Sequence, residues 1–274
     1  MAQTHRVKVE PLPRWLDWRR LLGPGQWEQH EITSDAWRVT GELPRNAAAD
    51  LEARLRGVSL GGTRLMLEIS PKLHRPDVRK ARLEEARRYR KGSPGFSHAL
   101  VQLDETARRS LTPEALALHM GERVAGLRVI DACCGAGGNA VGFARAGCTV
   151  TAIDIDARRV AMAKHNAALY GVDHRIEFVC GDALDVVPKL QGDLLFIDPP
   201  WATPLDTVRI TLNDLPPLQA LLHCRHSPKQ VWAKVPPAFD PTNLPGCSVE
   251  ALFGTGEGDH SRVKFLLIQL NPDR

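Results

Sequence analysis

Residues 129–139 read VIDACCGAGGN, in which an apolar stretch ends in an aspartate and runs directly into a glycine-rich turn. The apolar residues before the turn are typical of a buried strand, and residues 139–146 after it have the pattern of a helix. Glycines at such a junction let the backbone turn tightly and approach a ligand closely, because they carry no Cβ atom. Alone this signal is weak, since any tight strand-to-helix turn favours glycine.

Short apolar, β-branched stretches alternate with helical patterns in the second half of the chain, which is the order expected of strands and crossover helices in a parallel sheet. The candidate strands are residues 128–131, 149–154, 175–179, 194–197, 231–235, 248–253 and 263–270. A second helix over residues 157–169 is followed by Gly171, which suits a C-cap. The sequence therefore predicts an α/β, Rossmann-like fold with a seven-stranded, mostly parallel sheet and helices on both faces.

The chain has 274 residues, which is more than one domain usually needs. Its beginning differs in composition, with four of the six tryptophans, one helical stretch over residues 47–55 and one candidate strand over residues 64–69. We predict an accessory α+β region over residues 1–75, a basic helical linker over 76–110 and the main domain over 111–274. The tryptophans could form the core of the accessory region, stack on bases or dock a partner protein.

Composition indicates an ordinary globular protein with a net charge of +4. The excess charge is local, because residues 75–91 contain eight basic residues and three acids. Such a patch could bind phosphates or could be a solvated helix face. No apolar stretch is long enough to span a membrane, no signal peptide is recognisable, and the six cysteines form no Cys-x-x-Cys pair, so we predict a cytoplasmic protein with free thiols.

A metal site is not predicted. His223, Cys224 and His226 are ligand types, but their spacing fits no standard zinc pattern. We interpret them as an ordinary helix end.

A second acid, Asp154, ends the second candidate strand, about twenty residues beyond the turn. At this position a carboxylate can accept hydrogen bonds from both hydroxyls of a ribose. Asp156 suits the N-cap of the following helix. We assign a ribose to Asp154 and the cap to Asp156.

A nicotinamide enzyme would share these features, so the kind of cofactor depends on the next two strands. The third leads into Asp182 and Ala183, whose carboxylate and backbone N–H could read an adenine. The fourth ends in residues 196–201, FIDPPW. A polar residue, two prolines and an aromatic at this edge are typical of S-adenosylmethionine-dependent methyltransferases that act on an exocyclic amine. The sequence therefore predicts S-adenosylmethionine as cofactor and the class I methyltransferase version of the fold.

The chemistry of amine methylation explains these residue types. An amine conjugated to a heterocycle is a poor nucleophile, so the site must orient it towards the methyl group and exclude water. The Asp198 side chain and the Pro199 carbonyl could accept its two N–H groups, and Trp201 could stack on the base, a contact worth roughly 1–3 kcal/mol. The alternative is a simple strand-ending turn with a half-buried tryptophan.

Residues 104–204 resemble the trimethylguanosine synthase family, the RNA-cap guanine-N2 methyltransferases. The matching stretches are LDE at 103–105, SLTPE at 110–114, DACCGAGGN at 131–139, IDID at 153–156, NAALYGV at 166–172, RIEFVCGD at 175–182 and PPW at 199–201. Cys-Gly-x-Gly-Gly-Asn together with Asn-x-x-x-Tyr-Gly separates this family from other methyltransferases.

The resemblance implies that Thr112 lies near the methyl donor, that Asp131 faces its amino-acid end and that Trp201 stacks on guanine. It also implies that Asp154 and Asp182 hold the ribose and the adenine. The other residues of the predicted donor site are Cys133, Gly135, Gly137, Asn139, Ile155 and Ala183. An alternative for Thr112 is an N-cap, followed by a first-position proline and an acid in the first turn.

The sequence also departs from the family. Residues 198–204 read DPPWATP where the family typically has Ser-Pro-Pro-Trp-Gly-Gly-Pro, and the added acid is compatible with guanine-N2 or adenine-N6 transfer. The abundance of arginine among the basic residues suggests a GC-rich bacterial genome, and bacterial messages lack a trimethylguanosine cap. We therefore expect an amine in structured RNA, in DNA or in a metabolite.

Three functions stay open from the sequence. The first is an RNA-directed N-methyltransferase acting on guanine N2 or adenine N6. The second is a small-molecule methyltransferase of a biosynthetic pathway, which the mild net charge suits. The third is a non-catalytic scaffold subunit, since fold alone does not prove activity.

Overall fold

The computed structural model describes residues 4–201, 207–223 and 228–270. Its first part contains a four-stranded antiparallel sheet in the order β2-β3-β1-β6 and a separate short hairpin, β4-β5. The elements are β1 (Thr4–Pro13), α1 (Trp18–Leu22), β2 (Gln26–Thr33), β3 (Ala36–Pro44), α2 (Arg45–Leu55), β4 (Ser59–Leu60), β5 (Thr63–Arg64) and β6 (Met66–Ser70). The sequence predicted a single strand here, over residues 64–69, which corresponds to β6. The structure adds the strands β1, β2 and β3, which were not predicted.

Two features of the sequence hid these strands. β1 contains two prolines, which normally argue against a strand interior, and β2 is exposed along nearly its whole length. Alternate residues of β1 nevertheless point into a core that α1 and α2 cover, with Val7, Val9 and Leu12 fully buried. The four tryptophans of this region all pack in or against that core.

Three helices connect this region to the main sheet. They are α3 (Arg75–Tyr89), α4 (Glu105–Ser110) and α5 (Glu114–Glu122). α3 lies where the sequence predicted a basic helical segment. It packs along α2, and residues 92–104 then run along the main domain towards α4.

The second half of the chain forms the predicted seven-stranded sheet, in the order β12-β13-β11-β10-β7-β8-β9. Its elements are β7 (Arg128–Ala132), α6 (Gly138–Arg145), β8 (Thr149–Asp154), α7 (Ala157–Leu169), β9 (Ile176–Cys180), α8 (Ala183–Val186), β10 (Leu194–Ile197), α9 (Pro216–Leu222), β11 (Gln230–Val235), β12 (Cys247–Phe253) and β13 (Val263–Leu270). Short 3-10 helices cover Asp173–Arg175, Val187–Lys189, Leu212–Asp214 and Pro241–Asn243. β13 runs in the opposite direction to the other six strands of this sheet. The mostly parallel, Rossmann-like sheet is therefore confirmed.

Both faces of this sheet are buried. Successive residues of the central strands join different core clusters, as Val129 and Ile130 of β7 do. Continuous apolar strands are the sequence signature of such a sheet, and this pattern made the strands recognisable.

The fold gathers the candidate residues at one edge. The carboxyl ends of the parallel strands β7 to β11 lie there, and β12 ends at the same edge because both it and β11 pair antiparallel with β13. The hydrophobic core of the accessory region packs against this edge of the sheet, because it includes Phe253 at the end of β12. Arg20 of α1 donates hydrogen bonds to the carbonyls of Gly254 (2.8 Å) and His260 (2.9 Å). The predicted boundaries 1–75, 76–110 and 111–274 stay a prediction.

The glycine-rich loop between β12 and β13 is held in place by the buried Asp259. Its carboxylate accepts from the backbone N–H (2.9 Å) and the hydroxyl (2.8 Å) of Ser93, from the Gly256 N–H (3.0 Å) and from Lys264 (3.1 Å). This loop therefore joins the start of the 92–104 segment to the edge of the sheet where the parallel strands end. None of the helices described over 4–201, 207–223 and 228–270 is long and apolar enough to cross a membrane.

Candidate active site

The glycine-rich turn is fixed to the end of the neighbouring strand β8. The Cys134 N–H donates to the Ile153 carbonyl (2.7 Å), and the Gly135 N–H donates to the Asp154 carboxylate (2.9 Å). Gly135 and Gly137 have φ angles of 55° and 87°, which glycine adopts without steric cost. A Cβ atom on Gly135 would meet no atom within 4 Å, so the turn borders open space.

Cys133 contributes its backbone to this turn. Within the described ranges it is the one non-glycine residue with a positive φ, of 66°. Burial, together with the nearby Asp154 and Asp131 carboxylates, raises the pKa of its thiol to about 12. The thiol is therefore protonated at neutral pH and is not a nucleophile.

The two acids at the end of β8 have different partners. Asp156 is the N-cap of α7, and its carboxylate accepts the Arg158 N–H (2.8 Å), as the sequence predicted. Asp154 is buried, with one oxygen bonded to the Gly135 N–H and the other to the Asp156 N–H (3.0 Å). Each of its oxygens keeps a further lone pair. The ribose role of Asp154 is compatible with this geometry and stays a prediction.

Asp131 in β7 is fully buried, and neither of its carboxylate oxygens has a hydrogen-bond partner among the described residues. Burial, with the Asp198 and Asp154 carboxylates nearby, raises the pKa of Asp131 well above its usual range, and the nearby Ala140 backbone N–H and Lys234 ammonium oppose this shift without cancelling it. The Thr112 hydroxyl and the Asn139 amide oxygen are likewise buried and unpartnered in the same part of the chain. Buried polar atoms without partners are costly, so these positions fit a ligand that would complete them.

Thr112 does not cap the helix that follows it. The N-cap of α5 is Pro113, without a side-chain hydrogen bond, so the alternative interpretation of Thr112 as an N-cap is wrong. Its neighbour Leu111 packs on the turn so closely that a Cβ atom on Gly138 would lie 2.6 Å from Leu111 Cδ1. Thr112 therefore stands beside the glycine-rich turn.

The ends of β8 and β9 present an exposed apolar surface. Ile155 is 72% exposed and Leu184 is 40% exposed, although large aliphatic side chains are usually buried. Between them, Asp182 is the N-cap of α8 and accepts the Leu184 N–H (2.9 Å). Ala183 is the first residue of α8, where helix N–H groups lack partners within the helix. A flat heterocycle could pack on this surface while hydrogen-bonding to Asp182.

Lys234 in β11, which belongs to none of the sequence motifs, is only 2% exposed. Its ammonium donates to Asp198 Oδ2 (2.8 Å) and to the Ser110 carbonyl (2.9 Å). The Asn139 amide donates to the same Asp198 oxygen (2.9 Å). A lysine inside the apolar stretch VWAKV, residues 231–235, was the available signal, because buried lysines are rare unless they are paired.

Asp198, Pro199 and Trp201 follow β10 at the same edge. Pro199 is buried, and Trp201 packs against both cores of the sheet. The Lys234 ammonium lies 5.1 Å from the centroid of the Trp201 ring. Asp198 Oδ1 makes no hydrogen bond within the described part of the chain. Ala202 and Thr203, where the sequence departs from the family's two glycines, lie outside the described residues.

Asn166 and Tyr170, of the Asn-x-x-x-Tyr-Gly motif, hold the segment before α4 against this site. The buried Asn166 exchanges two hydrogen bonds with the Gln102 backbone (2.8 and 2.9 Å) and donates to the Ala136 carbonyl in the glycine-rich turn (2.9 Å). The Tyr170 hydroxyl accepts the His98 N–H (3.1 Å). The motif is therefore a clamp for residues 97–102.

Glu114 at the start of α5 is the acid of this clamp. Partial burial alone would raise its pKa, but hydrogen bonds from the Tyr170 hydroxyl (2.8 Å) and the Ser97 N–H (2.6 Å), with the Arg145 guanidinium, lower it to about 2. A depressed folded-state pKa means that ionised Glu114 stabilises the fold above the unfolded-state value. This stabilisation is lost as the pH falls towards about 2, where the Glu114 carboxylate becomes protonated in the folded protein.

We expect Glu114→Gln to lower the free energy of unfolding by about 2 kcal/mol near neutral pH, where it removes a charged hydrogen-bond acceptor. The deficit relative to wild type should shrink as the pH falls from about 4.5 towards 2. Urea unfolding at a series of pH values measures it. Glu122→Gln, at an exposed position, is the control and should match wild type. A deficit independent of pH would contradict the ionic role of Glu114.

Among the described residues, no group of three or more His, Cys, Asp or Glu side chains is placed to hold a metal. Cys224 and His226, considered above as possible ligands, lie outside the described residues.

Comparison with known proteins gives sequence relatives for the main domain. Residues 127–215 match the family model described as RNA cap guanine-N2 methyltransferase. Trimethylguanosine synthase of Schizosaccharomyces pombe is 38% identical over 129 residues, covering 43% of this chain and 54% of that protein. Trimethylguanosine synthase of Saccharomyces cerevisiae is 32% identical over 105 residues, covering 35% of this chain and 33% of that protein.

A solved structure supports the fold over a larger part of the chain. A protein of Porphyromonas gingivalis W83, described as a methyltransferase, is similar with a TM-score of 0.53 and 17% identity, covering 83% of this chain and 58% of that one. The family match begins at residue 127, so the accessory region and α3 lie outside it. Both yeast relatives are eukaryotic, and the bacterial origin suggested by the arginine excess stays a prediction.

Proposed function

The chain carries a class I S-adenosylmethionine-dependent methyltransferase domain similar to the RNA cap guanine-N2 methyltransferases, and we propose that it methylates an exocyclic amine of an RNA base. Guanine N2 is the first choice of acceptor, because the yeast relatives are trimethylguanosine synthases. Adenine N6 is the second, since Asp198 stands where that family typically has serine. The matched region spans about half of one relative and a third of the other, so their substrates enter here as proposals.

The observation that carries the proposal is the arrangement of the Asp198 carboxylate. Its Oδ2 is held by Lys234 and Asn139, whereas its Oδ1 has no partner in the described structure. Because Lys234 and Asn139 both donate to Oδ2, they fix the orientation of the carboxylate, and a carboxylate oxygen can accept further hydrogen bonds. An amine at this edge would find an oriented acceptor for one of its N–H groups.

The residues present also fit the methyl donor. The unpartnered Asp131 carboxylate would bind its ammonium group, Asp154 its ribose, and Asp182 with Ile155 its adenine. When bound, S-adenosylmethionine supplies a methyl group activated on a sulfonium sulfur. The protein's part is to hold donor and acceptor in line and to exclude water.

The acceptor base would be positioned by three neighbouring residues. Asp198 Oδ1 accepts one amine hydrogen and the Pro199 carbonyl accepts the other, which directs the nitrogen lone pair towards the donor. Trp201 stacks on the ring of the base. The methylated nitrogen must lose one proton, for which Asp198 Oδ1, without a partner in the described structure, is the candidate acceptor.

The test is transfer of labelled methyl groups from S-adenosylmethionine to total RNA, to DNA and to a small-molecule extract. We expect label in RNA, recovered after digestion as N2-methylguanosine or N6-methyladenosine. Label confined to DNA or to the extract would overturn RNA as the substrate class.

We expect Trp201→Ala to lower kcat/KM for RNA by roughly 10- to 100-fold, because it removes a stacking contact of about 1–3 kcal/mol. Trp201→Phe is the matched control and should retain most of the activity, since it keeps an aromatic face. Affinity for S-adenosylmethionine, measured by calorimetry, should stay within about twofold in both variants. Full RNA methylation by Trp201→Ala would remove this residue from the mechanism.

A further inference from the structure

The basic helix α3 has two different faces. On the inner face, Arg82 is paired with Glu52 and Arg88 with Asp50, both of α2. Glu85 is buried and bonded to Arg262 of the main domain. The cations of the inner face therefore hold the helix in place and are not available to a ligand.

The outer face is formed by Arg75, Arg79, Leu83, Arg87 and the C-cap residue Arg90. All five are exposed, and the four arginines have no hydrogen bond or ion pair with any residue of the described ranges. Residues four apart lie nearly in line along a helix. From position 75 to position 87 this line extends over about 18 Å, at about 1.5 Å per residue.

The position of α3 connects this face with the active edge. The C-terminal end of α3 contacts the loop between β12 and β13, because the Gly258 N–H donates to the Lys91 carbonyl (3.4 Å). Asp259 of the same loop holds Ser93. That loop follows β12 at the edge of the sheet where β10 and β11 also end, with β13 and β11 between β12 and β10. The C-terminal end of α3 therefore lies at the same edge of the sheet as Asp198 and Trp201.

We propose that the outer face of α3 binds the phosphate backbone of the RNA whose base enters the active site. This rests on the proposed function and extends it to a surface outside the family match. Guanidinium groups bind phosphate through paired, charge-assisted hydrogen bonds. Leu83 is the one aliphatic side chain among them, which is too little apolar surface for a helix that lies on a membrane.

Binding of a short fluorescein-labelled single-stranded RNA, followed by anisotropy at KCl concentrations between about 50 and 200 mM, tests the surface directly. The variant is the triple substitution Arg79→Gln, Arg87→Gln and Arg90→Gln. The control is Arg6→Gln, Arg56→Gln and Arg64→Gln, which removes the same charge from exposed arginines of the accessory region.

Log affinity falls with log salt concentration, and each phosphate contact in a single strand contributes about 0.7 to the steepness of that fall. We expect the α3 variant, which loses three arginines, to make the slope less steep by about 2. Its KM for RNA should rise at least tenfold, while kcat at saturating RNA and affinity for S-adenosylmethionine stay unchanged. The control should bind RNA like wild type. If the α3 variant binds RNA no more weakly than the control, or keeps the wild-type salt slope, the proposal that the outer face of α3 binds RNA is wrong.

The two proposals can fail separately. If RNA binding depends on α3 but no methyl group is transferred to RNA, the proposed function is wrong and the RNA-binding face is retained. If RNA is methylated and the α3 variant has an unchanged KM, the RNA-binding face is wrong and the proposed function is retained. If polyglutamate competes with the RNA and binds the wild type with the same dependence on α3, the face is a general acidic-ligand site and the RNA assignment is wrong.

Discussion

Replacement of Lys234 by methionine is expected to lower the free energy of unfolding by about 3–5 kcal/mol, the usual cost of removing one partner from a buried ion pair. Methionine fills a similar volume but leaves the Asp198 carboxylate and the Ser110 carbonyl without the ammonium that both contact. Because Lys234 is 2% exposed, water does not readily replace it. Urea unfolding at neutral pH measures the loss.

A double-variant cycle separates the ion pair from simple packing. Lys234→Met combined with Asp198→Asn should recover much of the lost stability, since no unpaired charge then remains in the site. Methyl transfer should fall at least 100-fold in both variants, because the single variant loses the ammonium that helps to orient the Asp198 carboxylate and the double variant loses the carboxylate itself. Equal stability of the single and the double variant would show that Lys234 acts through packing alone.

The fold of the main domain was predictable because its strands are buried on both faces. The central strands are short, largely apolar stretches, and no predicted strand end lies more than one residue from the observed one. α7 was predicted with its observed bounds, since Asp156 caps it and Gly171 follows it. The resemblance to RNA cap guanine-N2 methyltransferases, which rested on these stretches, is confirmed by the family match.

The accessory sheet could not be predicted in the same way. Its strands β2 and β3 form a hairpin of which β2 contributes almost nothing to a core, so the alternation that reveals a half-buried strand is absent. β1 alternates clearly, but Pro11 and Pro13 argued against it. Tertiary pairing with β3 and β6 overrode the local signal.

The contact between Asp198 and Lys234 could be predicted only by someone who already knew the order of the strands in the sheet. β10 and β11 pair in parallel, with Ile197 beside Ala233, so the residues that follow each of them become neighbours. They are separated by 36 positions in the chain and share no motif. The clamp by Asn166 and Tyr170 is similar, because the motif was recognisable while the segment that it holds was not.

Asp131→Asn is expected to stabilise the ligand-free protein and to weaken the methyl-donor site at the same time. The native carboxylate is fully buried without a partner among the described residues, and burial raises its pKa well above the usual range. An acid whose pKa is raised by folding destabilises the fold as the pH rises above its unfolded value of about 3.9. The advantage of the variant in urea unfolding should therefore be small near pH 4 and should grow towards pH 7, by up to about 1.4 kcal/mol per pH unit.

Affinity for S-adenosylmethionine should fall roughly 10- to 100-fold in Asp131→Asn, because a charged hydrogen bond to the donor's ammonium, worth about 1.5–3 kcal/mol, is lost. In the wild type this affinity should rise with pH, since the ionised carboxylate is the binding form. Asp259→Asn is the opposite control: its carboxylate is equally buried but has partners on both oxygens, so the substitution should lower stability and leave donor affinity unchanged. A buried acid that costs stability until its ligand arrives is the signature of a binding residue. If Asp131→Asn instead destabilises the fold and binds the donor normally, Asp131 is a structural residue and the donor site must be sought elsewhere along this edge.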